Sequence, residues 1–133
     1  MQHLAIIMDG NRRWAHENRL SVVYGHDKGA QTLSEISREV ARLKIPFLTV
    51  FAFSSENWRR SKAEVNALFG LMRRYLKQEM SNLISENIKL RIIGDITPFP
   101  KDLQTLFKNA EIQTEHNNSM TLTIAVNLSL IHI

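Results

Sequence analysis

The stretch Asp9-Gly10-Asn11-Arg12-Arg13-Trp14 sets a carboxylate, a glycine, an amide and two guanidinium groups ahead of an indole. Gly10 lets the backbone turn sharply or approach a ligand closely. Arg12 and Arg13 are charge-assisted donors suited to phosphate. A helix starting near Trp14 would add backbone N–H groups and the positive end of its dipole, both of which favour anions. The Asp9 carboxylate has the hard oxygen chemistry of Mg²⁺, which often bridges a protein carboxylate to substrate phosphates. Together these groups describe a diphosphate–metal site. Taken alone, the same six residues also describe an Asp-Gly surface turn solvated by its arginines, which is the commoner case.

A second cluster, Phe53-Ser54-Ser55-Glu56-Asn57-Trp58-Arg59-Arg60, mixes two aromatic rings with hydroxyls, an amide and two cations. That mixture suits a ligand with an apolar tail and an anionic head. It equally suits a loop approaching a helix, in which Ser61 caps, Trp58 packs and the arginines are solvated. His26 follows Gly25 at an expected helix start, where it can donate to phosphate or simply cap. The remaining histidines, His3, His16, His116 and His132, show no metal-ligand spacing. Glycine-rich nucleotide fingerprints are missing.

These clusters need elements to hold them. His3 to Met8 is a short apolar run closed by Asp9-Gly10 and reads as a buried strand. From Gly25 to Leu43, the residues Ala30, Leu33, Ile36, Val40 and Leu43 recur at helical spacing. Phe47 to Phe53 is aromatic and β-branched, a second strand. Ser61-Lys62-Ala63-Glu64 matches a capping box. Behind it Val65, Leu68, Phe69, Met72, Leu76, Met80 and Leu83 mark one face of a long helix. Leu90 to Gly94 is a third strand, Leu103, Leu106, Phe107 and Ala110 a shorter helical stripe, and Met120 to Val126 a fourth strand.

Strand and helix in alternation predict one α/β domain over residues 1–133, with a mainly parallel four-stranded sheet and helices on its faces. Ligands of open parallel sheets bind beyond the carboxyl ends of the strands. Asp9 to Arg13, Ser54 to Arg60, Asp95 and Asn127 each follow such an end.

Composition narrows the classes. With 133 residues and 44% apolar residues the chain can build a core. The absence of cysteine excludes disulfide scaffolds and thiolate metal sites and fits a reducing compartment. No apolar run approaches membrane-spanning length and no signal peptide pattern is present, so a cytoplasmic protein is expected. A net charge of +4 is compatible with an anionic partner and equally with ordinary solubility. The arginines lie in loops with acidic neighbours, which argues against nucleic acid.

The combination of His3-Leu-Ala-Ile-Ile-Met-Asp-Gly-Asn-Arg-Arg-Trp14, Gly25-His26, Phe51-Ala-Phe-Ser-Ser-Glu-Asn-Trp58 with Arg60, and Leu90-Arg-Ile-Ile-Gly-Asp95 resembles the cis-prenyltransferases, which include the bacterial undecaprenyl diphosphate synthases. The resemblance implies condensation of isopentenyl diphosphate onto a farnesyl-like allylic diphosphate, with Mg²⁺ assisting diphosphate departure. It implies that Asp9 holds the metal, and that Gly10, Asn11, Arg12 and Arg13 cradle the allylic diphosphate beside Trp14 and His26. It gives Ser54, Ser55, Glu56, Trp58 and Arg60 to the pocket where the substrates meet, and Asn57 as the family's usual proton acceptor. It also implies a homodimer and peripheral membrane contact through the lipid product.

The sequence departs from the family pattern at three places. Arg12 stands where many bacterial members have glycine. Val22 stands where many have a diphosphate-binding arginine, with Arg19 three residues earlier. Residues 128–133 replace the family's continuation, so a C-terminally truncated member is expected, without the segment that normally holds isopentenyl diphosphate and completes the metal site. The alternative is a non-catalytic remnant or partner subunit that still binds allylic diphosphate.

Overall fold

The computed structural model describes residues 1–7, 15, 17–19, 22–53 and 61–127, with the backbone alone for residues 22–24, 26 and 53. The strands are β1 (His3–Ile7), β2 (Phe47–Phe53), β3 (Ile88–Ile93) and β4 (Met120–Val126). Between them run helices α1 (Val22–Arg42), α2 (Lys62–Ser85) and α3 (Lys101–Gln113). The strands form one sheet in the order β1-β2-β4-β3, parallel throughout. The α/β parallel-sheet expectation holds.

The helices form where sequence chemistry asks for them. Ser61 Oγ accepts the backbone N–H of Glu64 at 3.2 Å, one half of the expected capping box. Val65, Leu68, Phe69, Leu76 and Leu83 are buried along α2. Helix α1 begins at Val22, three residues before Gly25, so Gly25-His26 lie inside the helix rather than at its start. Leu43, counted in the apolar stripe, lies beyond the helix and is exposed. Lys44 follows with φ 60°, a left-handed turn that ends the helical run.

Sheet register fixes two different faces. Leu4, Leu48, Leu122 and Leu90 form one row, and Ile6, Val50, Ile124 and Ile92 the next. These rows join Leu33 and Val40 of α1, the α2 stripe, and Leu103, Phe107 and Ala110 of α3 in one core. Burial of each such large side chain is worth about 1.5–3 kcal/mol, so this layer dominates stability. The alternate residues point the other way and stand outside that cluster, although Ala125 among them is itself buried. Sharpening the expectation of helices on the sheet's faces, the described helices gather on the Leu48–Val50 side.

Helix α3 also closes an edge. Thr114 Oγ1 accepts the N–H of Leu90 at 2.9 Å, and Glu111 Oε2 accepts that of Ile92 at 3.2 Å. Both donors sit on edge strand β3, where a free ladder would invite pairing with another chain.

Candidate functional site

The carboxyl ends of the strands lie side by side. Ile7 is in register with Phe51, Phe51 with Ala125, and Phe53 with Val126. The chain therefore leaves β1 toward Asp9 and leaves β2 toward Ser54 from neighbouring strands, which are about 5 Å apart in a sheet. The sheet order brings the roots of the two sequence clusters together, although 44 residues separate Asp9 from Phe53 (53 − 9). Helices α1, α2 and α3 each follow a strand's carboxyl end, so their N-termini, with free N–H groups and positive dipole ends, gather near this rim.

The other half of the rim is built from β3 and β4. Gly94 has φ +109°, and a Cβ there would overlap the Val126 carbonyl. Only glycine lets the chain turn this close to β4. Asn127, with φ 50°, donates its Nδ2–H to the Asp95 carbonyl at 3.0 Å and ties the two strand ends. Asp95 Oδ1 accepts both the hydroxyl of Thr97 at 2.7 Å and its N–H at 3.1 Å. These bonds hold the Asp95 carboxyl below its ordinary range. Asp95 is thereby the anchor of its own turn.

Asp9, Gly10, Asn11, Arg12, Arg13 and Trp14 lie outside the described residues, as do Ser54, Ser55, Glu56, Asn57, Trp58 and Arg60. His26 has a described backbone in the first turns of α1. Arg19 is exposed in a left-handed turn, φ 58°, three residues before Val22 opens that helix. Among the described residues no group of three or more His, Asp or Glu could hold a metal ion.

One polar arrangement was not foreseen from sequence. Arg74 of α2 pairs with Asp27 of α1 at 2.9 Å, next to His26 in the chain. The pair lines a cavity of about 280 Å³ between the helices, together with Lys28, Gln31, Ser34, Tyr75 and Glu79. Glu79 is 7% exposed and accepts the Ser34 hydroxyl at 2.7 Å and the Asn82 amide at 3.5 Å. The Tyr75 hydroxyl is buried without a hydrogen-bond partner among the described residues. Burial, and then the nearby Glu79 charge, push the phenol well above its ordinary range. The sequence signal for Glu79 was its phase: positions 72, 76, 79 and 83 share one helix face.

Residues 7–130 match the family model described as undecaprenyl diphosphate synthase. The chain belongs to that family of prenyltransferases. A curated relative, the ditrans,polycis-undecaprenyl-diphosphate synthase ((2E,6E)-farnesyl-diphosphate specific) of Pasteurella multocida, is 46% identical over 126 residues, 95% of this chain and 52% of that one. The isoprenyl transferase of Prochlorococcus marinus is 44% identical over 126 residues, 95% of this chain and 46% of its own length. Among solved structures, lavandulyl diphosphate synthase from Lavandula x intermedia, in complex with dimethylallyl diphosphate, superposes with a TM-score of 0.90 at 34% identity, covering 96% of this chain and 55% of that one. This prenyltransferase chain thus spans about half the length of the relatives it matches. Among the described residues no helix is long and apolar enough to cross a membrane.

Proposed function

We propose that this chain supplies the allylic-diphosphate half of a cis-prenyltransferase, which condenses isopentenyl diphosphate onto a farnesyl-like diphosphate with cis geometry. The observation that carries this reading is the family match over residues 7–130 on a sheet whose β1 and β2 carboxyl ends are adjacent. That adjacency roots the two sequence clusters at one rim, beside the helix N-termini.

In this reading Arg12 and Arg13 bind the diphosphate with charge-assisted hydrogen bonds, and Gly10 and Asn11 bring the backbone close to it. Trp14 and His26 border the same substrate. Ser54, Ser55, Glu56, Trp58 and Arg60 shape the place where the second substrate arrives. Asn57 orients the reacting carbon, and the released diphosphate is the better base for the departing proton, because a neutral amide is a very weak one. Mg²⁺, held by Asp9 and diphosphate oxygens, would neutralise charge on the leaving group. Homodimerisation, membrane contact through the lipid product and a cytoplasmic location complete the proposal.

Calorimetry with farnesyl diphosphate tests the reading. Binding is expected to be at least about tenfold tighter in Mg²⁺ than with a chelator. Equal binding in both conditions overturns the metal assignment, and no binding in either overturns the substrate assignment. The second reading is a non-catalytic remnant or partner subunit that binds the allylic substrate without elongating it. Radiolabelled isopentenyl diphosphate separates the two, since polyprenyl product from the purified chain would remove the second.

A further inference from the structure

Asp27 of α1 and Arg74 of α2 meet across the gap between the two helices, Arg74 Nη2 donating to Asp27 Oδ1 at 2.9 Å. Further along α1, the Ser34 hydroxyl donates to Glu79 Oε2 of α2 at 2.7 Å. All four residues line the cavity of about 280 Å³, so apolar packing does not close the two helices on each other here. The buried apolar side chains described for α1, Leu33 and Val40, lie beyond Asp27 along the helix. The opening turns of α1 are thus held to α2 by polar ties, and Asp27–Arg74 is the tie nearer the rim. Its side chains keep 40% and 50% of their exposure. An ion pair so exposed adds little to global stability, so its effect is sought in position and charge.

We propose that Arg74 and Asp27 are positioning residues for the diphosphate rim: their ion pair sets where the opening turns of α1 stand, and with them His26. The inference rests on the proposed reading, in which His26 borders the allylic diphosphate. Asp27 directly follows His26 and lies within about two turns of Val22, where α1 opens. The first turn of α1 holds no acidic residue, which leaves the positive end of its dipole open to an anion. Asp27 is the first acidic residue of the helix, and Arg74 neutralises it. Position and charge then predict different signs. If charge alone matters, Asp27→Asn removes a repulsion and tightens diphosphate binding, while Arg74→Gln weakens it. If the tie sets position, both variants weaken it.

The test pairs calorimetry with farnesyl diphosphate in Mg²⁺ and amide hydrogen exchange without substrate, both on the full chain. Asp27→Asn and Arg74→Gln are each expected to weaken affinity about threefold and to speed exchange in the opening turns of α1 by a similar factor. Arg74→Lys keeps an ion pair and restores most of both. Arg73→Gln is the control: it removes the same charge from the neighbouring position and breaks the exposed Arg73–Asp102 pair instead. It leaves affinity and α1 exchange as in the wild type. Tighter binding by Asp27→Asn, unchanged exchange in the Asp27 and Arg74 variants, or an equal effect of Arg73→Gln overturns the proposal. A wild type that binds no farnesyl diphosphate overturns the prenyl-transfer reading instead, and the exchange data then decide the tie by themselves.

Discussion

Gly94 stands against the carbonyl of Val126 so closely that any Cβ at position 94 would overlap it. Its φ of +109° is a second obstacle to an L side chain. Gly94→Ala must therefore part β3 from β4 at the rim, as well as strain the turn. We expect a loss of about 3 kcal/mol or more in urea unfolding. A loss below about 1 kcal/mol would show that this rim yields easily.

Thr114 has no exposed surface. Its hydroxyl donates to the Ala110 carbonyl at 2.8 Å and accepts the Leu90 N–H at 2.9 Å. Thr114→Val keeps the shape and leaves a buried N–H on an edge strand without its acceptor. The expected cost is about 1–3 kcal/mol with an unchanged denaturant slope. Unchanged stability would mean that water satisfies Leu90.

The alternation of strands and helices was legible because each apolar run has a clear period and a clear stop. Ser61 capped as expected, its hydroxyl accepting the backbone N–H three residues on. The start of α1 was misplaced because Val22, Val23 and Tyr24 carry no capping signal, while Gly25 resembles a boundary. Strand β3 begins at Ile88 rather than Leu90, because Lys89 interrupts the apolar pattern while facing the other side of the sheet. Strand order was not legible. Placing β4 between β2 and β3 is a tertiary choice, and it alone decides that the Asp9 and Ser54 segments leave from neighbouring strands while β3 becomes the edge. The candidate site residues were read from a family pattern. Their mutual geometry lies outside the described residues.

The Tyr75 hydroxyl is buried without a partner among the described residues, near the Glu79 carboxylate, which already has two donors. A polar group in that position costs free energy. Tyr75→Phe is expected to leave stability unchanged or raise it by about 1 kcal/mol. A loss above about 1 kcal/mol would reveal a hydrogen bond to that hydroxyl in solution.

Arg73 binds Asp102 through two hydrogen bonds, 2.6 and 3.1 Å, joining α2 to the first turn of α3. The Arg73 hydrogen bond holds the Asp102 carboxyl below its ordinary range. A carboxyl whose folded pKa is lowered binds fewer protons folded than unfolded. Its contribution is therefore present above the unfolded value, about 4, and fades as pH falls through the folded one. Both groups are solvent-accessible, so the effect is small. Asp102→Asn should lower Tm slightly at pH 7 and by less near pH 2, as the carboxyl takes up its proton. A gap of equal size at both pH values would show that packing, not charge, is responsible.

In the proposed reading Asp9 acts through a metal and Arg13 directly, so substitutions at the two should weaken farnesyl diphosphate binding in different ways. Asp9→Ala is expected to remove the Mg²⁺-dependent gain, at least about tenfold in affinity, while leaving metal-free binding as it was. Arg13→Gln removes a charge-assisted donor to the phosphate itself. It should weaken binding by about tenfold with or without Mg²⁺ and flatten its dependence on salt. Calorimetry at two salt concentrations, with and without Mg²⁺, separates the cases. If Asp9→Ala and Arg13→Gln give the same pattern, Asp9 contributes through the turn it shares with Gly10 and not as a metal ligand.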